Sequence, residues 1–166
     1  MDRILIIGLQ AAGKSTFANK LGKELNKGVI HLDKLYYRPG WVAVSKVEWQ
    51  NTLQEIIAKK QWIIDGNYHS SLDARLQPAD TVIFFNFPRW ICIYRALRRS
   101  FQKEQPFDKA AGNYEKVSWG LIKKILTYPR KEILIKLEQS RHIKDIFIIS
   151  SSNEADNLLN KLTGNN

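Results

Sequence analysis

The sequence of 166 residues has little cysteine, few acidic side chains and no long apolar run. Its single cysteine, Cys92, excludes a disulfide within the chain and a metal cluster built from cysteines. The best apolar run, residues 81–94, is interrupted by Pro88 and Arg89 and falls short of the roughly 20 residues that a membrane helix needs. The first residues lack the cleavage site of a signal peptide. We therefore expect a single domain over residues 1–166, in a reducing, cytoplasmic setting and without a membrane partner.

Acidic residues are scarce relative to basic ones, 16 against 26, and the formal net charge is +10. Most of the excess lies in residues 95–144, which contain 13 basic and 5 acidic side chains. Such a surplus is typical of proteins that bind a polyanion, which could be nucleic acid, anionic lipid or a phosphorylated small molecule. Because the excess is concentrated in one stretch, any function proposed for the chain has to account for the basic residues there.

Short apolar runs alternate with longer amphipathic segments, which is typical of an α/β protein with parallel strands. We predict five strands, near residues 4–7, 29–32, 62–64, 81–87 and 145–150. We predict helices near residues 14–26, 45–60, 88–103, 114–127, 130–140 and 153–162, a helical turn at 71–76 and a loop at 34–44. Right-handed crossovers then give a doubly wound sheet covered by helices in three layers.

A glycine-bearing motif directly follows the first predicted strand and opens the first predicted helix. It matches G-x-x-x-x-G-K-S from Gly8 to Ser15. The glycines let the backbone turn so that N–H groups point at a phosphate chain, and the helix N-terminus adds positive potential. Lys14 would reach the β- and γ-phosphates, and Ser15 would bind Mg²⁺, so we expect ATP and Mg²⁺ as ligands. The predicted contact residues are Gly8, Gln10, Ala11, Ala12, Gly13, Lys14, Ser15 and Thr16.

Two acidic residues stand at the ends of predicted strands, where open parallel sheets bind their ligands. Asp65 follows the third strand and could hold a water of the Mg²⁺ shell if that strand neighbours the first. Asp33 follows the second strand and could accept a hydroxyl from a second substrate, or act as its base. For both residues a helix cap or a turn is the alternative interpretation. The three histidines, His31, His69 and His142, lack metal-ligand spacing and are predicted to be structural or exposed.

Arginines mark the helix after the fourth strand. Arg95, Arg98 and Arg99 share one face by their i, i+3 and i+4 spacing. Ahead of a loop with glycine and proline, this face suits a lid over about residues 99–130 whose guanidinium groups stabilise a transferring phosphoryl group. Arg95, Arg99 and Arg130 are the candidates for that role, and Arg98 and Arg99 for nucleotide contact. The apolar residues predicted to lie in the core are Trp90, Ile91, Tyr94, Leu97 and Phe101.

The chain resembles a bacterial family of DNA topology modulation proteins, which are adenylate-kinase-like P-loop proteins. The resemblance is carried by the phosphate motif and by the segments His31–Asp33, Trp62–Tyr68 and Phe87–Trp90, and it extends over nearly the whole chain. It implies the P-loop fold of nucleoside monophosphate kinases, with a five-stranded parallel sheet in the order 2-3-1-4-5 and a helical lid.

The wider resemblance to kinases extends to single residues. Asp65 is similar to the aspartate that supports magnesium in adenylate kinases, and Arg99 to a lid arginine that lies against their adenine. Those enzymes also have an arginine shortly after the aspartate to grip the monophosphate, whereas this chain continues with Asn67-Tyr68-His69. Asp33 is closer to shikimate- and gluconate-type kinases, in which an aspartate contacts the acceptor hydroxyl. The acceptor-side segment would be residues 34–61, with a wall formed by Tyr36, Tyr37, Arg38 and Trp41.

Three functions fit these features. The favoured one is an ATP-dependent phosphotransferase, a kinase that acts on a small-molecule acceptor. The alternative is a nucleic-acid-associated regulator that binds or hydrolyses ATP, although no helix-turn-helix, zinc or RNP-like pattern is present in the sequence. The third is a non-catalytic nucleotide sensor. Acceptor-dependent ATP consumption would indicate the kinase, and a steep fall of DNA affinity with salt would indicate the regulator.

Overall fold

The computed structural model describes residues 1–100, 108–110, 113, 118–142 and 144–164. The strands in chain order are β1 (Arg3–Gly8), β2 (Val29–His31), β3 (Tyr37–Arg38), β4 (Val42–Ala43), β5 (Trp62–Asp65), β6 (Thr81–Phe85) and β7 (Asp145–Ile149). The helices are α1 (Lys14–Glu24), α2 (Leu32–Tyr36), α3 (Lys46–Ile57), α4 (Leu72–Leu76), α5 (Arg89–Ser100), α6 (Trp119–Leu126), α7 (Arg130–Ser140) and α8 (Ser152–Thr163). A 3₁₀ turn, His69–Ser71, precedes α4.

A five-stranded parallel sheet in the order β2-β5-β1-β6-β7 forms the centre of the fold. Counted over the five predicted strands, this is the order 2-3-1-4-5, so the prediction is confirmed. The central strands β5 and β6 are buried at every residue, as expected for strands covered by helices on both faces. The order places the end of β1 between the ends of β5 and β6, and His31 of β2 beside Asp65 of β5.

The prediction of a loop over residues 34–44 is wrong in part. The last residue of this stretch, Val44, lies beside the end of α2, where its N–H donates a hydrogen bond of 2.9 Å to the carbonyl of Tyr36. Between these points β3 and β4 form an antiparallel hairpin. Gly40 (φ +78°) and Trp41 (φ +61°) take left-handed conformations in its turn, and glycine does so at little cost. Pairing between two-residue strands is too short to leave a periodic signal in the sequence.

The prediction that α5 buries its large apolar residues is wrong for three of them, although Ile91 is partly buried against the core. Trp90 is 70% exposed and Tyr94 60% exposed, and Leu97 is exposed as well. The helix instead buries Cys92 and Ala96, whose small side chains form the face turned to the rest of the protein. Residues 101–107, 111–112 and 114–117 of the predicted lid lie outside the described residues, and Phe101 is one of them.

Among the residues that the structure describes, no helix combines the length and the apolar character needed to cross a bilayer.

Candidate functional site

The G-x-x-x-x-G-K-S motif forms a tight loop between β1 and α1. Left-handed backbone conformations occur at Gly8 (φ +137°), Ala11 (φ +58°) and Gly13 (φ +100°). A Cβ at Gly8 would lie 2.3 Å from the carbonyl oxygen of Phe85 on β6, so only glycine fits there. The backbone is therefore folded in the sharp turn that the motif predicts, directly before the N-terminus of α1.

Lys14 is buried at the first position of α1. Its Nζ donates a hydrogen bond of 2.7 Å to the carbonyl of Leu9. Burial lowers the pKa of this ammonium group, while the negative charges of Asp65 and Asp33 act in the opposite direction. Its hydrogen bond to a neutral carbonyl leaves its positive charge able to attract an anionic group at the loop.

Asp65 ends β5 and is 4% exposed. Its Oδ2 is 2.9 Å from Nδ1 of His31, whose Nε2 is 2.9 Å from Oδ1 of Asn19 on α1. The other carboxylate oxygen, Oδ1, is buried and has no hydrogen-bond partner among the described residues. Such an oxygen is costly unless a cation or a donor joins it, so this carboxylate fits Mg²⁺, which prefers oxygen ligands. His31, predicted to be structural or exposed, is the residue that orients Asp65.

Asp33 lies in α2, close to the end of β2, and is half-buried. Its Oδ1 accepts a hydrogen bond of 2.7 Å from the hydroxyl of Tyr68. Its Oδ2 forms an ion pair with the ammonium of Lys109. Burial, together with the charge and hydrogen bond of Asp33, raises the pKa of Tyr68, so the phenol stays a neutral donor. Asp33 thus already serves as acceptor for a hydroxyl group.

The loop after β5 is held by Arg75 of α4, which sequence reasoning missed. Its guanidinium is fully buried and donates to four backbone carbonyls. The distances include 2.8 Å to Gly66 and 2.9 Å to Tyr68, and the remaining acceptors are Asn67 and Ser71. Burial lowers the pKa of Arg75 to about 10. The residue is therefore structural, and it shapes the segment that carries Tyr68 to Asp33.

Asn67 joins this loop to the phosphate loop. Its side-chain Oδ1 accepts from the N–H of Gly8 at 3.0 Å and from the hydroxyl of Tyr128 at 3.2 Å. Asn67 belongs to the stretch Asn67-Tyr68-His69, in which the sequence lacks the arginine expected from the resemblance to adenylate kinases. In this chain the position ties two loops together.

The predicted arginines take different positions. Arg95 donates to the carbonyl of Ala12 in the phosphate loop and to Ser152 Oγ, each at 2.8 Å. Arg130 donates to the side chain and the carbonyl of Asn86 at 2.7 and 3.0 Å. Arg98 is exposed, whereas Arg99 is half-buried and interacts electrostatically with Asp108 and Asp33. The structure thus connects Arg99 with the site, and the roles of all four toward a phosphate stay predictions.

Asp108 and Lys109, also missed by sequence reasoning, lie over the phosphate loop. The hydroxyl of Ser15 donates to Oδ2 of Asp108 at 2.9 Å, and Lys109 Nζ is 3.2 Å from the same oxygen. Burial lowers the pKa of Lys109, but the charges of Asp33 and Asp108 outweigh it and raise that pKa overall. Burial likewise raises the pKa of Asp108, yet its partners, Lys109 foremost, lower it overall. The pair is therefore ionised.

Aromatic residues of the predicted acceptor-side wall belong to a larger aromatic cluster. Neighbouring ring centroids in the cluster are 4.8 to 5.2 Å apart, and its members are Tyr36, Tyr37 and Trp41 of the predicted wall together with Trp49 and Tyr68. The placement of Arg38 in this wall is not supported, because its guanidinium is exposed and pairs with Glu48 at 3.0 Å. Asn113 is fully buried and fixes the hairpin, accepting from the N–H of Trp41 and donating to the carbonyl of Arg38, each at 3.0 Å.

No protein-family model and no curated protein matches this chain. Among solved structures, a gluconokinase from Sinorhizobium meliloti 1021 aligns with a TM-score of 0.56 and 14% identity, over 99% of this chain and 94% of that one. Deoxyadenosine kinase from M. mycoides with bound dATP aligns with a TM-score of 0.51 and 14% identity, over 98% and 99%. These likenesses confirm the predicted fold class, because both solved kinases share the α/β fold of this chain. The resemblance to DNA topology modulation proteins stays a prediction.

Proposed function

We propose that this protein is a kinase that transfers the γ-phosphoryl group of ATP to a hydroxyl group of a small molecule. One observation carries the proposal: β1, β2 and β5 bring Lys14, Asp33 and Asp65 to the same edge of the sheet. The negative charges of Asp65 and Asp33 both act on the pKa of Lys14, which supports the proposal that the three share one site. A cation for phosphates, an acceptor for a hydroxyl and an oxygen ligand for Mg²⁺ are what phosphoryl transfer needs.

The nucleotide half consists of the phosphate loop and α1. Backbone N–H groups of residues 10–16 and the ammonium of Lys14 would bind the β- and γ-phosphates. Ser15 Oγ and Asp65 would hold Mg²⁺, Asp65 directly or through water. When bound, the ion neutralises charge on the phosphates. Arg99, half-buried beside Asp108 and Asp33, is placed to add positive charge as the transferring group separates from ADP.

The acceptor half is centred on Asp33. The hydroxyl of a bound acceptor would take the place of the Tyr68 hydroxyl, or share the carboxylate with it, at hydrogen-bond distance. As the acceptor oxygen bonds to phosphorus and the bond from phosphorus to the β,γ-bridging oxygen breaks, Asp33 receives the hydroxyl proton. The product is the phosphorylated acceptor, and ADP is released.

The aromatic cluster beside Asp33 favours an acceptor with a hydroxyl group and a face that stacks on rings. Sugars and planar heterocycles both satisfy this requirement. The two solved neighbours are named for different acceptors, gluconate and deoxyadenosine, so the fold selects neither. The acceptor has to be found by a screen.

In a screen of hydroxyl-bearing metabolites for acceptor-stimulated ADP release, we expect a positive acceptor whose turnover falls about 100-fold in Asp33→Asn. Asparagine can still accept a hydrogen bond, but it cannot take the proton, so kcat falls more than the KM for ATP rises. The matched control is Asp73→Asn, because Asp73 is exposed and pairs with Lys136 on α7. Equal acceptor-dependent turnover in Asp33→Asn and the wild type would contradict the assignment of Asp33.

The nucleic-acid alternative would depend on the exposed lysines of α6 and α7, Lys123, Lys124 and Lys131. Binding of this kind falls with salt by about one unit of log–log slope per neutralised phosphate. A fluorescence titration of duplex DNA at several salt concentrations measures it. A steep slope that is lost when these lysines are changed to glutamine, with no acceptor found in the screen, would favour the alternative over the kinase.

A further inference from the structure

We propose that Asp108 is a ligand of the Mg²⁺ that accompanies the nucleotide, together with Ser15. This inference rests on the proposed function, because it concerns the metal of the same site. It assigns a metal ligand to the segment between α5 and α6, to which neither the phosphate motif nor the strand ends point.

The distance between the two oxygens is the first argument. Ser15 Oγ and Asp108 Oδ2 are 2.9 Å apart. In an octahedral Mg²⁺ site with bonds of about 2.0–2.1 Å, neighbouring ligand oxygens are about 2.9 Å apart. The two atoms therefore already stand at the spacing of adjacent ligands, and a cation could replace the hydrogen bond without moving them.

The second argument is another carboxylate oxygen at the edge of the sheet where the phosphate loop begins. Asp65 ends β5 beside β1 and keeps one buried carboxylate oxygen without a hydrogen-bond partner in the described part of the chain. Ser15 directly follows Lys14 in the sequence, and the hydroxyl of Ser15 donates a hydrogen bond to Asp108. Asp108 adds a formal negative charge to a site in which Ser15 is neutral. Hard divalent ions favour such oxygen sets, with the phosphates and water completing the shell.

The third argument is the way in which Asp108 is held. It is buried, and Lys109 bridges it to Asp33 in the acceptor half. Metal ligands are commonly oriented by such partners. The dipeptide Asp108-Lys109 therefore contacts the nucleotide half with one side chain and the acceptor half with the other. On this assignment, Mg²⁺ binding stabilises the positions of Asp108 and Lys109.

The test is ATP binding by calorimetry with Mg²⁺ and with EDTA, in the wild type and in Asp108→Asn. Asparagine keeps an oxygen that can accept from Ser15 but removes the charge. We expect the gain in affinity that Mg²⁺ confers to fall on the order of tenfold or more, while affinity in EDTA stays the same or rises. With Mn²⁺ as probe, the electron paramagnetic resonance titration of the ATP complex should show weaker Mn²⁺ binding in the variant. Asp156→Asn on α8, an exposed residue that pairs weakly with Lys20 at 3.7 Å, is the matched control.

Two outcomes would overturn the assignment. If Asp108→Asn binds ATP more tightly by the same factor with and without Mg²⁺, Asp108 only blocks the empty site. If neither affinity changes, Asp108 does not take part in metal binding. Both differ from failure of the proposed function, in which the wild type would release no ADP in response to any acceptor.

Discussion

Replacing Lys14 by methionine is expected to lower acceptor-dependent turnover on the order of 1000-fold while the protein stays folded. The ammonium is buried at the phosphate loop, so its charge acts on the phosphates with little screening by water. The loss should appear in kcat/KM for ATP and in the thermal stabilisation that ATP confers. The methionine stem fills similar space, and the lost hydrogen bond to Leu9 costs about 1–3 kcal/mol, partly offset because a buried charge is removed.

Lys20→Met is the matched control for Lys14→Met. Lys20 lies on the same helix, and its exposed ammonium is 3.7 Å from Asp156. An exposed pair of this kind contributes little to stability, so this variant should keep wild-type turnover. Wild-type ATP affinity and turnover in Lys14→Met would show that the loop does not bind the triphosphate.

Replacing Arg75 by methionine is expected to destabilise the protein by about 3 kcal/mol or more. The change leaves the carbonyls of the loop after β5 without their buried donor. Removal of a buried charge reduces this cost, but several unpaired acceptors outweigh it. For a chain of this size such a loss lowers Tm by about 6–12 °C, which thermal and urea denaturation would measure.

Arg98→Met is the comparison for Arg75→Met, because Arg98 is exposed on α5. We expect its Tm to stay close to that of the wild type. Arg75→Lys should fall between the two, since a single ammonium cannot span the acceptors that the guanidinium reaches. An Arg75→Met variant as stable as the wild type would contradict the structural role of the residue.

The acidic pair at the strand ends shows how far prediction from the sequence extends. Each aspartate was predicted from its place directly after an apolar run, which is local information. The strand order places both aspartates at the edge of the sheet where the phosphate loop begins. That order came from the resemblance to kinases. Their partners could not be predicted in this way, because His31 reaches Asp65 and Lys109 reaches Asp33 across 34 and 76 positions of the chain.

Prediction was least successful for α5 and for the segment beyond it. Its large apolar side chains were predicted to lie in the core, but Trp90, Tyr94 and Leu97 are exposed, and the helix buries Cys92 and Ala96. Apolar periodicity shows that a helix has an apolar face, yet the space left between neighbouring elements decides which face packs. Asp108 and Lys109 carried no signal, since an Asp-Lys pair in a polar stretch is typical of exposed loops.

The sequence by itself determined the phosphate loop, the five parallel strands and the positions of Asp33 and Asp65 at strand ends. These features depend on residues close together in the chain, on glycine conformation and on strand hydrophobicity. Only the tertiary structure decided the partners of the charged groups: Arg75 with loop carbonyls, Arg95 and Arg130 with protein oxygens, and Lys109 between two carboxylates. A buried charge takes whichever partner the fold brings within about 3 Å, and that proximity is not encoded locally.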